Sequence, residues 1–180
     1  MAGSLRYLLL SLVTGAVVLV DQLTKLEVMQ SMYLHQSIPI ISGFFNLTYI
    51  RNPGAAFGFM AGTSSGVRVV FFAATSLFAL GVLGTILMRL PESDWMGQYS
   101  IASILGGAIG NLLDRVRYGE VVDFLDVYVK AYHWPAFNVA DAAITVGVIF
   151  LILHFSFENK HPSEPVPQPS SDPGSGPSPS

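Results

Sequence analysis

The charged residues of this chain leave four long gaps. Nine Lys/Arg and twelve Asp/Glu make up 12 % of the sequence, about half the share of ~25 % usual in soluble proteins. None falls in Tyr7–Val20, Val69–Met88, Trp95–Leu113 or Ala142–Phe157. Val69–Met88 is 20 residues. At ~1.5 Å per residue a helix of that length crosses a hydrocarbon core of ~30 Å. The other gaps reach spanning length once a few flanking polar residues join the helix. The pattern predicts a mainly α membrane protein, a bundle of four transmembrane helices near 6–26, 67–89, 95–114 and 138–157. Arg6 ahead of an apolar run also fits a signal peptide. However, Asp21-Gln22-Leu23-Thr24-Lys25 follows Val20 instead of a small-residue cleavage site, so the first segment is read as a span. A net charge of −3 leaves no basic footprint for nucleic acid. Cysteine is absent, which excludes disulfides, thiolate metal sites and a cysteine nucleophile.

The segments between the spans have their own signatures. Phe44–Arg51 alternates Phe45, Leu47 and Tyr49 against Asn46 and Thr48, a strand pattern. Gly119–Tyr132 also alternates and is rich in Val, Phe and Tyr. Aromatics of this kind suit a membrane interface, and a small sheet on the membrane surface is expected. Gly54–Met60 is expected to form a short interfacial helix. Pro162–Ser180 holds seven Pro and six Ser in 19 residues, too little apolar surface to fold. The organisation expected is thus a membrane domain over 1–160 and a disordered tail over 161–180.

Alternating connectivity gathers the unusual polar residues on one membrane face. Asp21 and Lys25 end the first helix. Arg51, Asn52 and Arg68 lie before or at the start of the second. Asn111, Asp114 and Arg115 end the third, Asp123 follows it, and Asn138 and Asp141 open the fourth. Polar groups this close to hydrocarbon are expensive and are a functional hypothesis by default. The competing reading is that carboxylates at helix ends only cap and solvate. Asn138 and Asp141 share a helix face, as do Asn111, Asp114 and Arg115. An ion pair of Arg115 with Asp114 or another carboxylate is expected to hold the third helix against a neighbour. Gly106, Gly107 and Gly110 permit close helix approach. Counting Lys and Arg gives three on the face of the termini (Arg6, Arg89, Lys160) and six on the other. The positive-inside rule would therefore put the polar cluster in the cytoplasm.

Two aspartates, Asp123 and Asp141, sit among apolar neighbours, where a carboxylate is desolvated and its pKa rises. Brought together, they would share one proton, leaving one acid and one base near neutral pH. The base would activate a water and the acid would protonate a carbonyl oxygen or leaving amine. A metal site would want His or carboxylates at ligand spacing, and His35, His133, His154 and His161 form no such pair. Serine hydrolysis would want a G-x-S-x-G elbow on a strand-to-helix turn and a placed His; Gly62-Thr63-Ser64-Ser65-Gly66 has the spacing but follows no strand pattern. A proton- or ion-coupled transporter using the same aspartates stays open, as does a scaffold in which they only cap.

Five blocks carry a resemblance. Asp21-Gln22-Leu23-Thr24-Lys25, Asn52-Pro53-Gly54-Ala55-Ala56-Phe57, Gly110-Asn111-Leu112-Leu113-Asp114-Arg115, Val122-Asp123-Phe124 and Phe137-Asn138-Val139-Ala140-Asp141 resemble the ordered motifs of bacterial lipoprotein signal peptidase (signal peptidase II). Order, spacing and helix pattern agree over roughly residues 5–157. The resemblance implies an aspartic endopeptidase of the bacterial inner membrane, without a cofactor or metal. It would remove the signal peptide from diacylglyceryl-modified prolipoproteins, cutting just before the lipidated Cys. It assigns catalysis to Asp123 and Asp141. Asn52, Asn111, Asp114, Arg115, Asn138 and Ala140 carry over as site-supporting residues, and Asp21 as structural or substrate-adjacent. It also implies cytoplasmic termini, a site near the outer face, contact with membrane lipid, sensitivity to globomycin-type inhibitors and a monomer. That orientation overrules the charge count. Closure of Phe57 and Phe59 over the site is a further expectation.

Overall fold

The computed structural model describes residues 3–54 and 64–158. The expected interfacial helix, apart from Gly54, the closing role of Phe57 and Phe59, and the tail lie outside the described residues. Four long helices and four strands follow in the order α1 (Gly3–Ser31), β1 (Ser37–Ile41), β2 (Phe45–Asn52), α2 (Ser65–Arg89), α3 (Trp95–Tyr118), β3 (Val121–Val129), β4 (Tyr132–His133) and α4 (Val139–Glu158).

Three of these helices, α1, α2 and α4, are long and apolar enough to cross a membrane. The fourth, α3, has 24 residues, which also suffices in length, but it is less apolar. Its place in the bundle gives the reason. It packs against each of the other three helices and buries Gln98, Ser100, Asn111 and Asp114 along with Ile101 and Ile104. A helix with protein against much of its surface does not need to be apolar all round. By contrast, α2 buries no residue and holds Val70, Leu77 and Phe78 outward, the composition of a helix facing lipid.

Small residues set the spacing of the bundle. A Cβ at Gly106 would lie 2.9 Å from the Thr14 carbonyl oxygen of α1, one at Gly107 would strike the Ala140 carbonyl oxygen of α4, and one at Gly110 would lie 2.6 Å from the Asp21 carboxylate. Three positions on one helix thereby draw α1 and α4 against α3. Asp94 caps the start of α3 by accepting from the Gly97 N–H at 2.8 Å. Gly119, at φ 77°, ends it in the left-handed conformation.

The strands form one antiparallel series in the order β1-β2-β3-β4. The two expected strands are present as β2 and β3; β1 and β4 are additional. Gly43 at φ 83° turns the β1–β2 hairpin. Pro39 lies in β1, an edge strand, where its missing N–H is tolerated. The sheet rests on the end of α1, which runs five residues beyond the expected boundary. There Val28 and Met32 pack with Tyr49, Val122 and Phe124. The β2–β3 register shifts between Leu47 and Ile50, so that Leu47 faces Leu125 while Ile50 faces Asp123. Such a bulge bends the strand and re-aims side chains, here beside Asp123.

Gly107→Val should lower the stability of the bundle by roughly 1–3 kcal/mol through overpacking. Gly84→Ala, where a Cβ meets nothing within 4 Å, should leave it unchanged. Thermal unfolding of both variants in detergent micelles checks this.

Candidate active site

Asp141 owes its position to the way α4 begins. The Asn138 side chain accepts from the Asp141 N–H at 2.9 Å, and the Asp141 carboxylate accepts from the Asn138 N–H at 3.3 Å. These reciprocal bonds are a capping box. The Ala140 N–H would otherwise be left over, and it donates to Asp21 Oδ1 at 2.9 Å. The start of α4 is thus closed partly by its own residues and partly by α1. Ala140 is wholly buried and lies against Gly107 and Gly110, so no larger side chain fits.

Asp123 reaches the same point from β3. Its two oxygens accept from Asn52 Nδ2 at 3.0 Å and from Asn138 Nδ2 at 2.7 Å. Asn138 therefore bridges the two aspartates, through its amide group to Asp123 and its backbone to Asp141. Asn52 Oδ1 accepts from the Gly54 N–H at 2.9 Å, which turns its amide nitrogen toward Asp123. Burial pushes the Asp123 carboxyl up to about 7; the bond from Asn52 opposes this and the Asp141 charge adds to it.

Behind the pair stands a buried ion cluster. Lys25 Nζ lies 2.8 Å from Asp21 Oδ2, 2.9 Å from Asp114 Oδ2 and 3.0 Å from Asn111 Oδ1. An ammonium has three donors, and each has one acceptor here. The amide of Asn111 is oriented by this contact. Its oxygen faces the cation, so its Nδ2 points the other way, to Asp141 Oδ1 at 2.7 Å. Asp114 also accepts from the Val122 N–H at 3.1 Å, one residue from Asp123, and from Gln22 Nε2 at 2.9 Å.

The structure brings together Asp21, Asn52, Asn111, Asp114, Asp123, Asn138, Ala140 and Asp141, while Arg51 stands aside over Tyr118, and one contact differs. Asp114 pairs with Lys25, not with Arg115. Successive helix residues do not face each other, so Asp114 turns toward α1 while Arg115 turns toward α2. There the Arg115 guanidinium sits 5.3 Å from the centre of the Phe72 ring and donates to the Asn111 carbonyl at 3.2 Å. Its charge acts on Asp141 and Asp123. The residues missed as site members are Lys25 and Gln22, and the i, i+4 spacing of Asp21 and Lys25 was the available signal. Two of the histidines stand elsewhere: His133 pairs with Asp126 on the sheet at 2.8 Å, and His154 with Asp94 at the opposite end of the bundle at 3.1 Å.

Comparison with known proteins gives the family. The family Signal peptidase (SPase) II matches residues 13–157. The chain belongs to that family. A lipoprotein signal peptidase of Syntrophus aciditrophicus is 52 % identical over 157 residues, covering 87 % of this chain and 98 % of the relative. One from Geobacter sulfurreducens is 50 % identical, covering 83 % and 92 %. A solved bacterial membrane enzyme superposes with a TM-score of 0.76 at 33 % identity, covering 87 % of this chain and 93 % of that one. A second gives 0.73 at 34 %, covering 81 % and 91 %. Membership in the signal peptidase II family makes the chain a protease, and its apolar helices make it an integral membrane one.

Two outcomes follow from the geometry. Lys25→Met should cost about 3–5 kcal/mol, because Asp21 and Asp114 are left buried without their cation; denaturation in mixed micelles measures it. The raised Asp123 pKa has a definite sign. Between the unfolded value of about 3.9 and the folded value of about 7, the native state holds the extra proton. Stability therefore falls as pH rises through that window. Melting temperatures across pH 4–8 should show this slope in the wild type and a shallower one in Asp123→Asn.

Proposed function

We propose that the chain is an intramembrane aspartic endopeptidase that removes the signal peptide from diacylglyceryl-modified prolipoproteins, cutting just before the lipidated Cys. The observation that carries this reading is the single residue Asn138 holding Asp123 and Asp141 together, in surroundings whose burial raises the Asp123 carboxyl. Two adjacent carboxylates with one proton between them titrate as a pair and supply an acid and a base at once.

In the reaction, Asp141 takes a proton from a water held between the carboxylates, and the water oxygen attacks the scissile carbonyl. Asp123 gives its proton to the carbonyl oxygen, and a neutral tetrahedral diol forms. Asp141 then passes its proton to the leaving amine as the C–N bond breaks, and Asp123 recovers one from the diol. Asn52, Asn111 and Asn138 hold the carboxylates in place, so no reorganisation is needed as charge moves. The Arg115 charge acts on both aspartates and stabilises the state in which one of them is ionised.

In this reading α3 is the fourth span, its polar residues covered by α1 and α4. Both termini are cytoplasmic and the aspartates lie near the outer face. The Lys/Arg count opposes that orientation, but three of the six residues on the dyad face are engaged. Lys25 is buried between carboxylates. Arg51 lies 4.7 Å from the Tyr118 ring, and Arg115 lies over Phe72. A lipid-anchored peptide would reach the site sideways from the bilayer, its scissile bond at headgroup level. Globomycin-type inhibitors would compete there. Residues 1–160 form the peptidase domain and 161–180 a dispensable tail.

The test uses the full chain in detergent with a lipidated prolipoprotein. Asp123→Asn and Asp141→Asn keep nearly the same shape but cannot exchange the proton. Each should lose several orders of magnitude in kcat, as when a member of a concerted catalytic unit is removed, while its circular dichroism stays native. Retained cleavage in either variant would refute the pair. EDTA should leave the rate unchanged.

A further inference from the structure

A second feature lies on the other side of α3. A groove of about 700 Å³ runs between α1 and α3, with Leu87 of α2 lining it and Gln22 and Arg117 among its residues. On α1 its wall recurs at Ser11, Gly15 and Leu19, and on α3 at Leu105, Ile109 and Leu113, the four-residue period of one helix face. From Tyr7 to Gln22 the groove covers 16 residues of α1, about 22 Å from first to last at ~1.5 Å rise per residue. That exceeds one leaflet of a ~30 Å core. Two features keep it open. A Cβ at Gly15 would meet nothing within 4 Å. At the far end Arg6 donates to the Leu87 and Leu90 carbonyls at 3.2 and 3.1 Å, which ties α1 to the end of α2.

The rim on the dyad side carries charge. Arg117 is exposed, and its one hydrogen bond among the described residues is to Gln22 Oε1 at 2.9 Å. A guanidinium has five N–H donors in a fork that suits phosphate. The neighbouring Asp21 and Asp114 are buried and turned to Lys25, the start of α4 and the Val122 N–H, and among the described residues neither pairs with Arg117. Among the described residues that line the groove there is no carboxylate to receive a headgroup ammonium. Asn111 and Arg115 project from α3 away from the Leu105–Leu113 stripe, so the helix itself separates the groove from the catalytic pair.

We infer that this groove is a binding site for an anionic phospholipid of the leaflet on the dyad side, one acyl chain lying along Gly15 and Ile109 and the phosphate on Arg117. The occupant is a bilayer lipid, not the lipidated substrate, because the groove opens on the face of α3 opposite the aspartates.

Native mass spectrometry of the full chain, released from detergent with added phosphatidylglycerol or phosphatidylethanolamine of identical chains, tests this. The wild type should retain phosphatidylglycerol about fivefold over phosphatidylethanolamine, the worth of one arginine beside an anionic headgroup. Arg117→Gln should erase that preference. Gly15→Phe, which fills the groove, should lower retention of both lipids about fivefold while still cleaving prolipoprotein in detergent, a sign that it is folded. Equal retention of the two lipids by the wild type would overturn the inference. So would an unchanged preference in Arg117→Gln, unchanged retention in Gly15→Phe, or displacement of bound phosphatidylglycerol by a diacylglyceryl peptide. Retention needs no catalysis and should persist in Asp141→Asn, so failure of the peptidase mechanism and failure of the lipid site are read separately.

Discussion

A lysine buried to 1 % exposure organises the dyad end of this molecule. The desolvation cost of an ammonium is several kcal/mol and is offset only when its donors are matched. Lys25 meets that condition with one acceptor per proton, drawn from α1 itself and from two positions on α3. The arrangement leaves one excess negative charge. That excess is not stranded, because Asp21 also faces the start of α4, where unpaired N–H groups and the helix dipole favour an anion. Asp114 likewise receives the Val122 N–H. The cation therefore fixes α3 to α1, and the carboxylates it holds fix α4 and β3 in turn.

The same cluster dictates the polarity of the amides around the aspartates. An amide side chain can point either way unless its partners differ in kind. Asn111 has a cation on one side and a carboxylate on the other, which removes the ambiguity. Asn52 is oriented by a backbone N–H. Asn138 does three things: it caps α4, supports Asp141 through its backbone N–H, and donates to Asp123. The aspartates are thus held by groups that are themselves held, which is the requirement for a site placed to within a fraction of an ångström.

Much of this was legible in the sequence. The gaps between charges located the four helices, and alternation located β2 and β3. The scarcity of charge made Asp123 and Asp141 stand out. What stayed hidden was pairwise. β1 carries Pro39, which argues against a strand unless the strand is known to be an edge. β4 is two residues long and shows no period. The partner of Asp114 lies 89 positions away on another helix, beyond the reach of any spacing rule, so proximity in sequence suggested Arg115 instead. Lys25 looked like one more cation at a membrane boundary because burial is not written in residue type.

The less apolar character of α3 ties these points together. A helix packed against three others can carry Asn111, Asp114 and Arg115 because their side chains meet Asp141 of α4, Lys25 of α1 and Phe72 of α2, and it can be approached that closely because Gly106, Gly107 and Gly110 take up no room. Polar side chains and glycines both lower hydropathy, so the helix left out of the apolar set is the one that holds the others together. The two properties depend on each other. Without the glycines, α1 and α4 could not come near enough for Asp21 to reach Ala140. Without the ion cluster, the close approach would bury polar atoms with no partners. The chemistry at the end of α3 and the packing along its length are one constraint seen at two places on the same helix.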